Sequence, residues 1–149
     1  MSIKSELFKY CLEHIEHLID LNNNALSDAQ NAANNETKST AGDKHETARA
    51  MKQLETEAFG KRLVEAMAQY KLLSSIDVTR KYDSVQPGSL ALTSIGNFFV
   101  AVSADEVVID GEEYCMISTE SPIYQAMQGS TEGSTFSFRG KEIRVTEVL

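Results

Sequence analysis

The stretch "STAGDKHETARA", residues 39–50, holds the residues best suited to chemistry, Asp43 and Glu46. Two acids three apart at a helix start face the same side. Hard cations such as Mg²⁺ take oxygen donors of this kind and keep several waters. The same spacing also fits a helix cap, with Asp at the N-cap and Glu three residues on. The two roles compete, because a carboxylate bonded to N–H groups has fewer lone pairs for a cation. Spacing alone leaves both readings open. Two exposed carboxylates bind Mg²⁺ weakly by themselves, so a metal role has to be completed by a partner. His45, inside the same stretch, reads as an exposed first-turn residue, with a proton shuttle or RNA contact as its alternative. His14 and His17, beside Glu13 and Glu16, lack a Cys or a third ligand and read as solvated rather than as a zinc site.

What must position Asp43 and Glu46 is a pair of helices. From Ser2 to about Ala33 there is no Pro or Gly, and Phe8, Leu12, Ile15, Ile19, Leu26, Ala29 and Ala33 recur at steps that suit a helical stripe. Asn22 falls at a seam position, where a polar residue fixes register. A second stripe runs through Ala48, Met51, Leu54, Ala58, Leu63, Met67, Tyr70 and Leu73, weakened at Gly60 by about 1 kcal/mol. Neither stripe can bury itself. Joined by the short polar loop "NNETKSTAGD", residues 34–43, they predict a long antiparallel coiled-coil helical hairpin over residues 1–78, with its tip near 34–46. Each helix, at about 30 residues, would be roughly 45 Å long.

The pattern changes at "DSVQPGS", where Pro87 and Gly88 break the helix. Short runs rich in β-branched and aromatic residues follow: "LALT", "NFFVAVS", "EVVI", "EYCMIS", "STFSF" and "EIRVTEV". Asp110-Gly111 is a hairpin signal and Arg139-Gly140 a weaker one. "SPIYQAMQG" predicts a short helix with Ser121 as N-cap, Pro122 in the first turn and Gly129 as the stop. Residues 79–149 therefore predict a twisted antiparallel sheet with one short helix, and the whole chain is α+β.

The 149 residues carry a net charge of −8, most of it in the second half: residues 76–149 hold five Lys/Arg against eleven Asp/Glu. An acidic chain is a poor non-specific binder of duplex DNA or of an anionic membrane. No run approaches the roughly 20 apolar residues of a membrane span. The N-terminus has no apolar run of signal-peptide type. The two cysteines, Cys11 and Cys115, read as reduced thiols. A cytoplasmic protein is the expectation.

The C-terminal half resembles the C-terminal domain of the bacterial Gre transcript-cleavage factors, GreA and GreB. The resemblance rests on Val85 and Gly88-Ser89, then on "ISTESPIYQAMQGSTEGSTFSF", where Ile117-Ser118, Ser121-Pro122, Ala126-Met127, Gly129 and Gly133 fall on the family's pattern. In the N-terminal half, "GDKHETA" is similar to the family's tip segment, matching Gly42, Asp43, Glu46 and Ala48. The resemblance implies an FKBP-like C-terminal domain and RNA polymerase as partner. It implies a hairpin that enters the polymerase's secondary channel, where Asp43 and Glu46 help hold Mg²⁺ in the polymerase's own active site. The polymerase then hydrolyses the extruded 3′ end of a backtracked RNA. The chain would be an accessory factor rather than an enzyme. Its Mg²⁺ would be shared with the polymerase, and none would be bound in the free protein. Lys44, Arg49 and Lys52 would contact RNA or the channel. Ser121, Pro122 and Tyr124 would dock the C-terminal domain, although Tyr124 also suits sheet packing.

The chain departs from the family in having Ser130 where many members have Lys. Acids also interleave with Arg49, Lys52, Lys61 and Arg62, where members usually carry a basic patch. Gre-like proteins that enter the channel and inhibit without cleavage are the alternative class. A prolyl isomerase or chaperone is a more remote one, because that activity needs an aromatic-lined pocket and fold alone does not supply it.

Overall fold

The computed structural model describes residues 2–36 and 42–149; for residues 33–36 and 42–45 it describes the backbone alone. Two long helices come first, α1 (Ile3–Glu36) and α2 (Gly42–Ser74). Six strands and one short helix follow: β1 (Leu90–Thr93), β2 (Gly96–Ala101), β3 (Val107–Ile109), β4 (Glu112–Ser118), α3 (Pro122–Met127), β5 (Thr135–Phe138) and β6 (Lys141–Val148). The chain divides into two compact units. One holds Met1–His14 with Lys71–Leu149, the other Ile15–Tyr70.

In the second unit the two helices, linked across residues 37–41, form an antiparallel pair. The buried positions of α1 here are Ile15, Asn22 and Ala29, a strict seven-residue repeat. Asn22 occupies the seam as expected, and its Nδ2 donates to the Leu18 carbonyl of its own helix at 2.8 Å. The expected stripe of α2 is only partly right. Met51 (60% exposed), Leu54 (65%) and Met67 (55%) lie outside, and so do Ala58 and Tyr70. Of the expected stripe Ala48, Leu63 and Leu73 are half-buried or buried, and they are joined by Lys52, Thr56, Phe59, Gly60, Ala66, Gln69 and Leu72. Apolar residues are scattered around α2, so sequence periodicity selects no single face.

The first unit contains one sheet in the order β3-β4-β2-β1-β6-β5. It is mixed rather than wholly antiparallel, because β2 and β4 run parallel, from Asn97 opposite Tyr114 to Ala101 opposite Ser118. The chain inserts the β3–β4 hairpin after β2, which brings β4 back in the direction of β2. Both anticipated hairpin turns are present. Asp110 (φ 52°) with Gly111 (φ 81°) and Arg139 (φ 52°) with Gly140 (φ 77°) have the paired positive φ values of two-residue turns.

Each sheet face has its own apolar set. On one face Ala91, Val100, Ile117, Ile143, Val145 and Val148 meet Tyr124 and Met127 of α3. On the other, Leu90, Phe99 and Met116 stand opposite one another in register and are all buried. Leu7, Cys11 and Leu73, from the start of α1 and the end of α2, are fully buried in the same unit. Lys4 is buried with them, and its Nζ donates to the Arg80 carbonyl at 2.7 Å and lies 4.6 Å from the centre of the Tyr82 ring. Burial pushes the Lys4 ammonium below its ordinary pKa, with the negative charge of Asp77 opposing.

Burial also pushes the Cys11 thiol up to about 11, partly offset by its hydrogen bond with the Val102 backbone. The raised value in the folded state makes Cys11 stabilising below the unfolded pKa near 9, and that contribution is lost as pH rises through 11. We expect about 2–3 kcal/mol of stability to disappear over that window from this residue. The check is urea unfolding at stepped pH, with Cys11→Ala flattening the decline. A second expectation concerns glycines. A Cβ on Gly88, at φ +94°, would lie 2.8 Å from the Tyr82 hydroxyl, whereas one on Gly60 meets nothing within 4 Å. Gly88→Ala should destabilise by about 1–3 kcal/mol and Gly60→Ala stabilise by about 1 kcal/mol, read by thermal unfolding.

Candidate functional site

The start of α2 carries the tip carboxylates. Its helical backbone begins at Gly42, so Asp43 lies inside the first turn rather than at the N-cap. An acid in the first turn is favoured by the helix dipole without any cap bond. The side chains of Asp43, Lys44 and His45 lie outside the described residues. Glu46 and Arg49 are exposed and three apart, so they share a face of α2. Lys52 is half-buried in the seam, and its Nζ lies 3.5 Å from Glu55. Among the described residues no group of three His, Cys, Asp or Glu side chains could hold a metal ion.

The second candidate region surrounds α3. Val85 N–H donates to the Ser130 carbonyl at 2.9 Å, and Gly129 N–H donates to the Val85 carbonyl at 2.9 Å. These two bonds tie the segment before β1 to the end of α3. Gly129, at φ 78°, ends the helix there. Gly88 N–H donates to the Val100 carbonyl at 2.7 Å, and Val100 N–H donates to the Ser89 carbonyl at 3.0 Å. Ser89 is buried, and its hydroxyl donates to the Gln86 carbonyl while accepting from Gln86 N–H. Gly133, at φ 83°, bonds the Val145 carbonyl. The spaced residues from Val85 to Gly133 are thus one backbone-bonded arrangement that closes α3 onto the sheet.

Ser121 stands at the N-cap of α3, but its hydroxyl turns back to donate to the Ser118 carbonyl at 2.8 Å and makes no cap bond. Pro122 occupies the first turn and is exposed. Tyr124 is 4% exposed and belongs to the core, where burial raises its phenol pKa. Its ring presents no surface for docking; Ser121 and Pro122 are the accessible members of that set.

No family model matches this chain, and no curated protein does. A solved structure described as "Structure of the transcription factor Gfh1" aligns over 94% of each chain at 18% identity, with a TM-score of 0.40. A likeness that loose assigns neither fold nor function.

Three clefts open on the sheet-containing unit. One of about 300 Å³ is lined by Glu6, Lys9, Tyr10, Glu13, Val108 and Ile109. One of about 370 Å³ lies by Ile3, Lys4, Arg80 and Leu90. One of about 110 Å³ includes Phe98 and Tyr114. None has more than two aromatic residues in its lining, and Phe99 and Phe136 are buried in the sheet. Sequence pattern does not find the first cleft, because Tyr10 and Val108 come from distant parts of the chain.

Two substitutions separate packing from presentation around α3. Tyr124→Ala should cost about 3–5 kcal/mol of stability as a truncated core aromatic. Pro122→Ala should change stability by no more than about 1 kcal/mol, as a surface change. Chemical denaturation of the two variants checks this, and makes Pro122→Ala the cleaner probe of docking.

Proposed function

We propose that this chain is a Gre-like transcription factor that binds RNA polymerase, enters its secondary channel with the α1–α2 turn and stimulates cleavage of backtracked RNA. The observation that carries the reading is a combination in one chain. Two helices of 34 and 33 residues are separated by only residues 37–41, and Asp43 and Glu46 lie in the helical backbone that follows. The Val85-to-Gly133 set is assembled as one bonded arrangement in the unit that contains the sheet. At 1.5 Å per residue each helix is roughly 50 Å long, enough to carry a turn into a deep channel.

In this reading the carboxylates of Asp43 and Glu46 supply oxygen ligands, and the polymerase completes the site. Mg²⁺ there provides Lewis acidity for phosphodiester hydrolysis. Arg49, exposed three residues after Glu46, would in this reading contact RNA phosphate. The free protein needs no cofactor, and the chain itself is not the nuclease.

A second reading is favoured by Lys52, whose Nζ lies 3.5 Å from Glu55. With that cation partly neutralised by its neighbour, the chain would occupy the channel and slow synthesis without promoting cleavage.

One experiment separates the two. A stalled, backtracked elongation complex is incubated with the protein and Mg²⁺, and RNA length is followed on a gel. Cleavage stimulation predicts shortened RNA, with the rate falling at least tenfold for Asp43→Ala or Glu46→Ala, the scale of one lost metal ligand. Slowed extension without shortening assigns the inhibitor. Absence of any binding to the polymerase sinks both.

A further inference from the structure

We propose that the cleft between the first turns of α1 and the open edge of β3 receives an extended, basic segment of a partner protein, added to the sheet as a strand. The inference does not rest on the polymerase reading.

β3 is an edge strand, paired only with β4. The two-residue turn at Asp110-Gly111 makes Ile109 and Glu112 the hydrogen-bonded closing pair. Ladder bonds alternate along an antiparallel pair. Val108, opposite Glu113, therefore turns its N–H and carbonyl away from β4, toward the open edge. Among the described residues no other hydrogen bond engages that backbone. Its side chain is also bare at 63% exposure, and Tyr10 across the cleft is 44% exposed. An uncovered edge with apolar neighbours is a template for strand addition.

Charge selects the occupant. Glu6 and Glu13 stand on the α1 wall, and Asp105, Glu106, Asp110, Glu112 and Glu113 flank β3 and begin β4. Lys9 is the one cation in the cleft lining, and it lies 4.0 Å from Glu13 in a well-exposed pair. Two copies of this chain meeting edge to edge at β3 would set these acids against each other, which disfavours self-pairing. A strand with alternating Lys or Arg and β-branched residues satisfies the edge, the apolar contacts and the charge together.

The test titrates the full chain into fluorescein-labelled Lys-Val-Lys-Val-Lys-Val-Lys and reads anisotropy. Saturable binding that weakens with salt is expected. Val108→Pro removes the outward donor and should weaken binding about tenfold, the scale of one lost hydrogen bond. The double variant Glu6→Gln/Glu13→Gln should weaken it several-fold and flatten the salt dependence. If Val108→Pro loses the native circular dichroism, Val108→Lys replaces it, keeping the backbone and opposing the peptide's charge. Wild-type affinity in either the edge variant or the double variant overturns the proposal. So does equal binding of Lys-Gly-Lys-Gly-Lys-Gly-Lys, which would reduce the effect to charge. Absence of peptide binding also overturns it, and concentration-dependent self-association in sedimentation would then assign the edge to copies of the chain.

Discussion

The sheet has two apolar faces and only one short helix of its own. Six-residue α3 covers one face of the sheet, where Tyr124 and Met127 cluster with Ala91, Val100, Ile117, Ile143, Val145 and Val148. Leu90, Phe99 and Met116 point the other way. Left wet, three such side chains would forfeit about 1.5–3 kcal/mol each. Their cover has to come from elsewhere in the chain. The first turns of α1 and the last of α2 belong to the same compact unit, and they bring Leu7, Cys11 and Leu73 to full burial. This requirement explains why the break between compact units falls inside both helices, at His14/Ile15 and Tyr70/Lys71, rather than at the Pro-Gly turn. It also explains a buried lysine. Lys4 sits one helical turn before Leu7, so docking that turn takes the ammonium with it. The Arg80 carbonyl and the Tyr82 ring face the buried charge.

The strands were legible because their signals are local. Alternation, β-branching and the Asp110-Gly111 and Arg139-Gly140 turns need no knowledge of distant partners, and strand limits fall close to the apolar runs. The parallel pairing of β2 with β4 was not legible. It depends on where the β3–β4 hairpin docks, which no local pattern encodes. The seam of α2 failed for a related reason. Met51, Leu54 and Met67 make as good a stripe by spacing as Phe59, Leu63 and Ala66, so spacing alone cannot select between them.

The same distinction applies to the candidate sites. Val85, Gly88, Ser89, Gly129 and Gly133 mark a recognisable pattern because the backbone there demands them: positive φ at three glycines, a close approach at Gly88 and a buried serine bonded at both ends. They define how α3 closes on the sheet and have little left to offer a partner. Sequence alone cannot separate a residue required by the fold from one required by a ligand when both lie in one motif. Exposure separates them, leaving Pro122 outward and Tyr124 inward.

The unit formed by Ile15–Tyr70 has a thin interior. Among the described residues its buried side chains are Ile15, Ala29, Ala66 and a polar Asn22, while Met51, Leu54, Val64 and Met67 face water. Small side chains bury little area, so this helical pair gains less from packing per turn than the sheet unit does. Its helices must draw more on intrinsic propensity, and α2 spends some of that at Gly60.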